Sequence, residues 1–94
     1  MISVSISYHN MLRRRTGVER ENIQLPDGTP LYGALEKVAD RYGPHLREML
    51  FAPEGTVANY LVVFHNGQLS RQDARTVQLA DGDELMLFPA ISGG

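Results

Sequence analysis

Residues 2–8 read Ile-Ser-Val-Ser-Ile-Ser-Tyr, a strict alternation with Ile2, Val4, Ile6 and Tyr8 on one side and three serines on the other. A period of two gathers no stripe on a helix, so this stretch is confined to a β-strand with one buried face. Such a strand needs neighbours for its hydrogen-bonding edges and a cover for its apolar side. The remaining residues must supply both.

The first partner is Glu21-Asn-Ile-Gln-Leu25, with Ile23 and Leu25 two apart, which predicts an antiparallel hairpin. The long connection, residues 10–20, is polar, contains Gly17 and reads as a loop. The cover is predicted over residues 31–42, where Leu31, Ala34, Leu35, Val38 and Tyr42 recur at three and four residues. Thr29 is the expected N-cap, Pro30 the first helical residue and Gly43-Pro44 the stop. Leu46, Met49 and Leu50 predict a further short turn of helix.

The apolar run Tyr60–Phe64 leads into Asn66-Gly67, the strongest short hairpin signal. A run without alternation implies a strand covered on both faces, or covered on one of them by a partner. Ser70 with Asp73 predicts a helical turn, residues 75–79 a short strand, Asp81-Gly82-Asp83 a turn and residues 84–90 a last strand stopped at Pro89. Two strands, a main helix and three more strands fit an α+β domain, a mixed sheet of about five strands with one helix across it.

Composition narrows the function. A formal net charge of −2 argues against a nucleic-acid or anionic-membrane binder, and the apolar runs are far too short for a membrane span. The chain has no cysteine, so a disulfide, a thiolate metal site and a cysteine nucleophile are excluded. His9, His45 and His65 have no metal-ligand spacing, and no metal site is expected. No leader pattern opens the sequence, and the expected compartment is the cytoplasm. Arg13-Arg14-Arg15 reads as a solvated loop or one paired with an acidic partner surface, with phosphate binding as the alternative. No nucleophile–base pair stands out, so an enzyme acting alone is not expected.

The element order, the ending Leu79–Gly94 and the segment Met11-Leu-Arg-Arg-Arg-Thr-Gly17 carry a resemblance. The ending has a D-G-D turn at Asp81-Gly82-Asp83, an apolar strand, Pro89 and a terminal Gly93-Gly94. The segment looks like an L-R-x-x-T-G loop. Together they resemble the ubiquitin-like β-grasp sulfur carriers, the molybdopterin-synthase small-subunit and thiamine-carrier family (MoaD/ThiS), over the whole chain. The resemblance implies one β-grasp domain, residues 1–94, with a flexible Gly-Gly tail at Ile91, Ser92, Gly93 and Gly94.

It also implies a chemistry. The Gly94 carboxylate would be adenylated by a ubiquitin-activating-enzyme-like adenylyltransferase using ATP with Mg, then converted to a thiocarboxylate by a sulfur donor enzyme. The sulfur would pass to a synthase subunit, as in a molybdopterin-synthase-type complex, with no cofactor bound to the carrier itself. Leu69, Phe88 and Pro89 match positions that face the partner in such subunits. Pro89 is followed by Ala90 where many molybdopterin-synthase subunits have a second proline, and this ending also resembles carriers devoted to cysteine biosynthesis. Molybdopterin, cysteine, thiamine and tRNA thiolation all remain open as destinations. The rival reading is a ubiquitin-like modifier joined to lysines through Gly94.

Overall fold

The computed structural model describes residues 1–90. Its elements are β1 (Ile2–Tyr8), α1 (Met11–Thr16), β2 (Arg20–Leu25), α2 (Leu31–Tyr42), α3 (Pro44–Leu50), β3 (Leu61–His65), β4 (Gln68–Leu69) and β5 (Glu84–Pro89). The five strands form one mixed sheet in the order β2-β1-β5-β3-β4. β1 pairs antiparallel with β2, Val4 opposite Ile23, and parallel with β5, Ile6 opposite Leu85. β3 is antiparallel to both β5 and β4. The expected α+β architecture is observed.

The alternation of β1 does what its period requires. Val4, Ile6 and Tyr8 are fully buried and share one core with Ile23, Leu85 and Leu87 and with Leu31, Leu35, Val38, Leu46 and Leu50 of the helices. Each such side chain contributes about 1.5–3 kcal/mol by leaving water. The N-terminal amides of α2 do not wait on a side-chain cap. Leu31 and Tyr32 donate to the carbonyls of Val77 and Ala74, so the first turn is tied to the loop before β5.

Four expectations are corrected. Residues 11–16 are helix, not loop. Leu12 is its one buried residue and Gly17, at φ 78°, ends it in the left-handed region. One apolar anchor per helix makes no stripe, so periodicity could not show it. Pro30, not Thr29, occupies the cap position of α2, and the Thr29 hydroxyl instead donates to Pro26 O at 2.6 Å, closing the preceding turn. Ser70–Asp73 forms no helical turn. Asp73 caps the next residues, accepting from Arg75 N. Residues 75–79 form no strand, only a single bridge between Gln78 and Pro30 made by Leu31 N to Val77 O and Leu79 N to Thr29 O, because the segment they pair with turns into α2 at Leu31. The fifth strand is the two-residue β4, made by the Asn66-Gly67 hairpin, whose positive φ angles of 52° and 81° suit that tight turn.

A carboxylate sits on the helix-facing side of the β1–β2 pair. Glu21 lies opposite Ile6, and its carboxylate accepts from Tyr8 Oη and Tyr42 Oη, both at 2.6 Å, and from Arg41 at 2.6 Å. Burial alone would push this carboxyl up. The two phenols and the guanidinium outweigh it and hold it below the ordinary value of 4.5. The phenols respond in kind. Burial and Glu21 push Tyr42 up to about 12 and Tyr8 further still. Among the described residues no buried side-chain polar atom lacks a partner.

Replacing Glu21 with Ala leaves the buried Tyr8 hydroxyl without its acceptor and should cost about 1–3 kcal/mol in urea unfolding, more than Tyr42→Phe, which removes a half-buried donor. Because the Glu21 carboxyl is depressed in the folded state, its stabilisation is present above the ordinary value of 4.5 and lost as pH falls through the lowered one. The acid-side loss of stability should therefore be shallower in Glu21→Gln.

Candidate functional site

The two faces of the sheet differ. One carries the core. On the other, β1 and β2 present Ser3, Ser5 and Ser7 beside Arg20, Asn22 and Gln24, while β3, β4 and β5 present Val62, Phe64, Leu69, Met86 and Phe88. The registry places Phe64 opposite both Leu69 and Met86, and Val62 opposite Phe88. Phe64 and Phe88 pack edge to face at 5.7 Å. These five side chains are exposed or half-buried, with Leu69 at 41%. An apolar cluster left in water on one half of a sheet is a docking surface in the making.

Leu69 and Phe88 thus share this face, one strand apart on either side of β3. Pro89 does not join them. It alternates with Phe88, points to the core side opposite Leu61 and is buried. Gly94, Gly93, Ser92 and Ile91 lie outside the described residues. Val62, Phe64 and Met86 were not singled out by the sequence reading, although the unbroken apolar runs of β3 and β5 were the signal for them.

The end of β5 fixes where the C-terminal residues start. Ala90 N donates to Tyr60 O at 2.6 Å, and Tyr60 Oη donates to Glu48 O at 2.8 Å. Because β1 runs parallel to β5, the end of β1 lies beside this point. His9 stacks on Phe88 with centroids 4.3 Å apart and planes 14° from parallel. Its Nε2 lies 3.1 Å from Ser7 Oγ in a hydrogen bond whose direction follows the tautomer. Arg13 of α1 donates to Tyr8 O at 3.2 Å, and Arg14 and Arg15 are exposed.

The D-G-D turn sits at the opposite end of β5 and serves the fold. Asp81 Oδ1 accepts from Ser3 N at 2.7 Å, and Gly82 N donates to Ser3 O at 2.8 Å. Asp83 accepts from His65 Nε2 at 2.7 Å, Asn66 Nδ2 at 3.0 Å and Ala80 N at 2.8 Å. Burial pushes its carboxyl up, and these three donors more than reverse that, leaving it below 3.8. The turn clamps the starts of β1 and β5 to the β3–β4 hairpin.

Among the described residues no group of three His, Asp or Glu side chains converges to hold a metal, and no helix is long and apolar enough to cross a membrane. With the geometry in place, the chain can be set beside known proteins. A family model described as the ThiS family matches residues 6–94. SAMP1 from Haloferax volcanii is 26% identical and superposes with a TM-score of 0.85, covering 98% of this chain and 99% of that one. A putative molybdopterin converting factor subunit 1 from Pyrococcus furiosus is 24% identical with a TM-score of 0.75, over 97% and 100% of the chains. A CysO chain from the Amycolatopsis orientalis BexX/CysO complex is 23% identical with a TM-score of 0.72, over 97% and 99%. The last two likenesses speak to fold alone, and the fold is the ubiquitin-like β-grasp. Comparison with curated protein sequences gives no match.

His9 titrates below the ordinary imidazole value of 6.5, because burial and then the charges of Arg13 and Arg20 disfavour its cation. It is therefore neutral at pH 7 and contributes to the apolar patch. As pH falls below 6.5 the unfolded chain takes up this proton first, so His9 lowers stability from there down to its depressed folded value and no further below it. An NMR titration of the ring should show the midpoint moving upward in Arg20→Gln, which removes one of the two repelling charges.

Proposed function

Because the chain belongs to the ThiS family, of the ubiquitin-like sulfur carriers, we propose that it carries sulfur on Gly94 as a C-terminal thiocarboxylate. The observation that carries the reading is a Gly-Gly terminus four residues beyond a strand whose open face is apolar. Phe88 and Leu69 would dock the partner protein, and the residues past Ala90 would reach its reacting centre.

The chemistry needs no side chain of this protein. A terminal carboxyl has a pKa of about 3.3–3.7 and is ionised at neutral pH. Its oxygen attacks the α-phosphorus of ATP, supplied with Mg by an adenylyltransferase, and pyrophosphate leaves. A hydrosulfide-level donor then attacks the acyl carbon, AMP departs, and sulfur replaces oxygen on Gly94. Glycine suits both last positions because a backbone without Cβ can thread a narrow channel and turn there. The acceptor would be a synthase subunit of a molybdopterin or cysteine pathway in the cytoplasm, and the BexX/CysO complex is a case of a protein of this fold held by a partner. The carrier is a co-substrate and not itself an enzyme.

A second reading has its own support, since SAMP1 of Methanosarcina acetivorans, of the same fold with a TM-score of 0.81, is named a small archaeal modifier protein. A modifier would form an amide between Gly94 and a target lysine instead of passing sulfur on. The chain's single lysine, Lys37, is exposed on α2, remote from the open sheet face.

Incubation with the host adenylyltransferase, ATP and a sulfur donor should raise the intact mass by the difference between one sulfur and one oxygen, localised to the C-terminal fragment. Deleting Gly93-Gly94 should abolish the gain and leave the melting temperature unchanged, since the described core closes at Pro89. An unchanged wild-type mass, with the enzyme active on another carrier, would refute the carrier reading.

The two readings separate in denatured host lysates. A carrier should give no higher-mass adducts. A ladder that disappears with Gly93-Gly94, leaving a Gly-Gly remnant on target lysines after digestion, would establish the modifier instead.

A further inference from the structure

Four of the chain's eight arginines, Arg13, Arg14, Arg15 and Arg20, gather at one corner of a protein whose net charge is −2. Arg13, Arg14 and Arg15 occupy the last turn of α1, and Arg20 begins β2 on the edge of the sheet. Ser7, His9, Arg13, Glu19, Arg20 and Met86 line a shallow recess of about 400 Å³ there. The only carboxylate among these lining residues is Glu19, 78% exposed and 3.6 Å from Arg13. A pair that open to water is worth at most about 1 kcal/mol and yields readily to a better acceptor.

The placement of the recess is as informative as its charge. Met86 and His9 join it to the apolar patch, His9 by stacking on Phe88. Phe88 stands two residues before Ala90, where the C-terminal segment departs. A protein lying on the apolar half of the sheet therefore meets the arginines at its rim. Beside it Ser3, Ser5, Asn22 and Gln24 are uncharged, and the carboxylate on this face, Glu84 opposite Ser5, lies toward the start of β5, away from Arg13 and His9.

We propose that this corner receives an acidic side chain, Asp or Glu, of the protein that docks on Val62, Phe64, Leu69, Met86 and Phe88, with Arg13 and Arg20 as its two guanidinium partners. The inference rests on the carrier reading for the identity of that protein, the adenylyltransferase. The apolar patch supplies contact area but little orientation. A carboxylate held between α1 and β2 fixes the rotation of the docked pair. Arg14 and Arg15 add long-range attraction that speeds the encounter.

The test is the association rate with the host adenylyltransferase at low and high salt. Arg20→Gln should slow association about 3-fold and Arg20→Glu about 10-fold at low ionic strength. The differences should vanish near 1 M salt, where the screening length is about 3 Å. Lys37→Glu, an equal charge change on the helix layer, should match the wild type. Arg20 is exposed on an edge strand, and equal melting temperatures will show that its variants fold. Equal rates for Arg20→Glu and Lys37→Glu, with the wild type still adenylated, would overturn this inference alone. Inhibition by inorganic phosphate well beyond chloride at matched ionic strength would overturn it in favour of a phosphate ligand. A wild type neither bound nor adenylated would overturn the carrier reading together with it.

Discussion

Two parallel strands cannot be joined by a tight turn, so the pairing of β1 with β5 sends residues 9–83 on a long excursion before the sheet can close. Everything else is arranged around that contact. The excursion supplies the second partner for β1, the helices that cover the core, and β3, which takes the other edge of β5. The last strand made is thus a central one, hydrogen-bonded on both sides.

That arrangement divides labour along β5. At its start, Asp81, Asp83, Asn66 and His65 form a closed hydrogen-bonded clamp that engages the start of β1. At its finish, beyond its ladder with β3, the strand is held by the backbone bonds from Ala90 N to Tyr60 O and from His9 N to Leu87 O, with α1 alongside. The motif residues that advertise the family in sequence therefore include two kinds. The D-G-D turn is architecture, whereas Phe88 lies where a partner can touch it. The Glu21 cluster does for the far edge what the clamp does for the middle, tying β2 to the end of α2.

Much of this was legible in the residues because it is local. The alternation of β1, the apolar stripe of α2 and the Asn66-Gly67 turn each encode their element within a few positions. What the sequence hid is decided at a distance. Helix α1 is held by Leu12 alone, so it has no period to detect. Residues 75–79 have strand-like composition, but their neighbours are committed to the start of α2. Glu21 reads as an ordinary edge residue until folding brings Tyr8, Arg41 and Tyr42 around it. At the candidate site, Leu69 and Phe88 could be named from position. Their convergence with Val62, Phe64, Met86 and His9 needed the register of three strands.

Ala90, the last described residue, is bonded through its N to Tyr60 O. Beyond it run four residues, and four residues drawn out fully reach no further than about 14 Å. On the carrier reading the domain would act as a caliper, with one jaw on the apolar patch and the other limited to that radius. A protein that seated the sheet correctly but buried its reacting centre more deeply would then stay beyond the carboxyl group of Gly94. Selection among enzymes would then lie in a distance as well as in a surface, and lengthening or shortening the span past Ala90 would retune it without altering any contact of the fold.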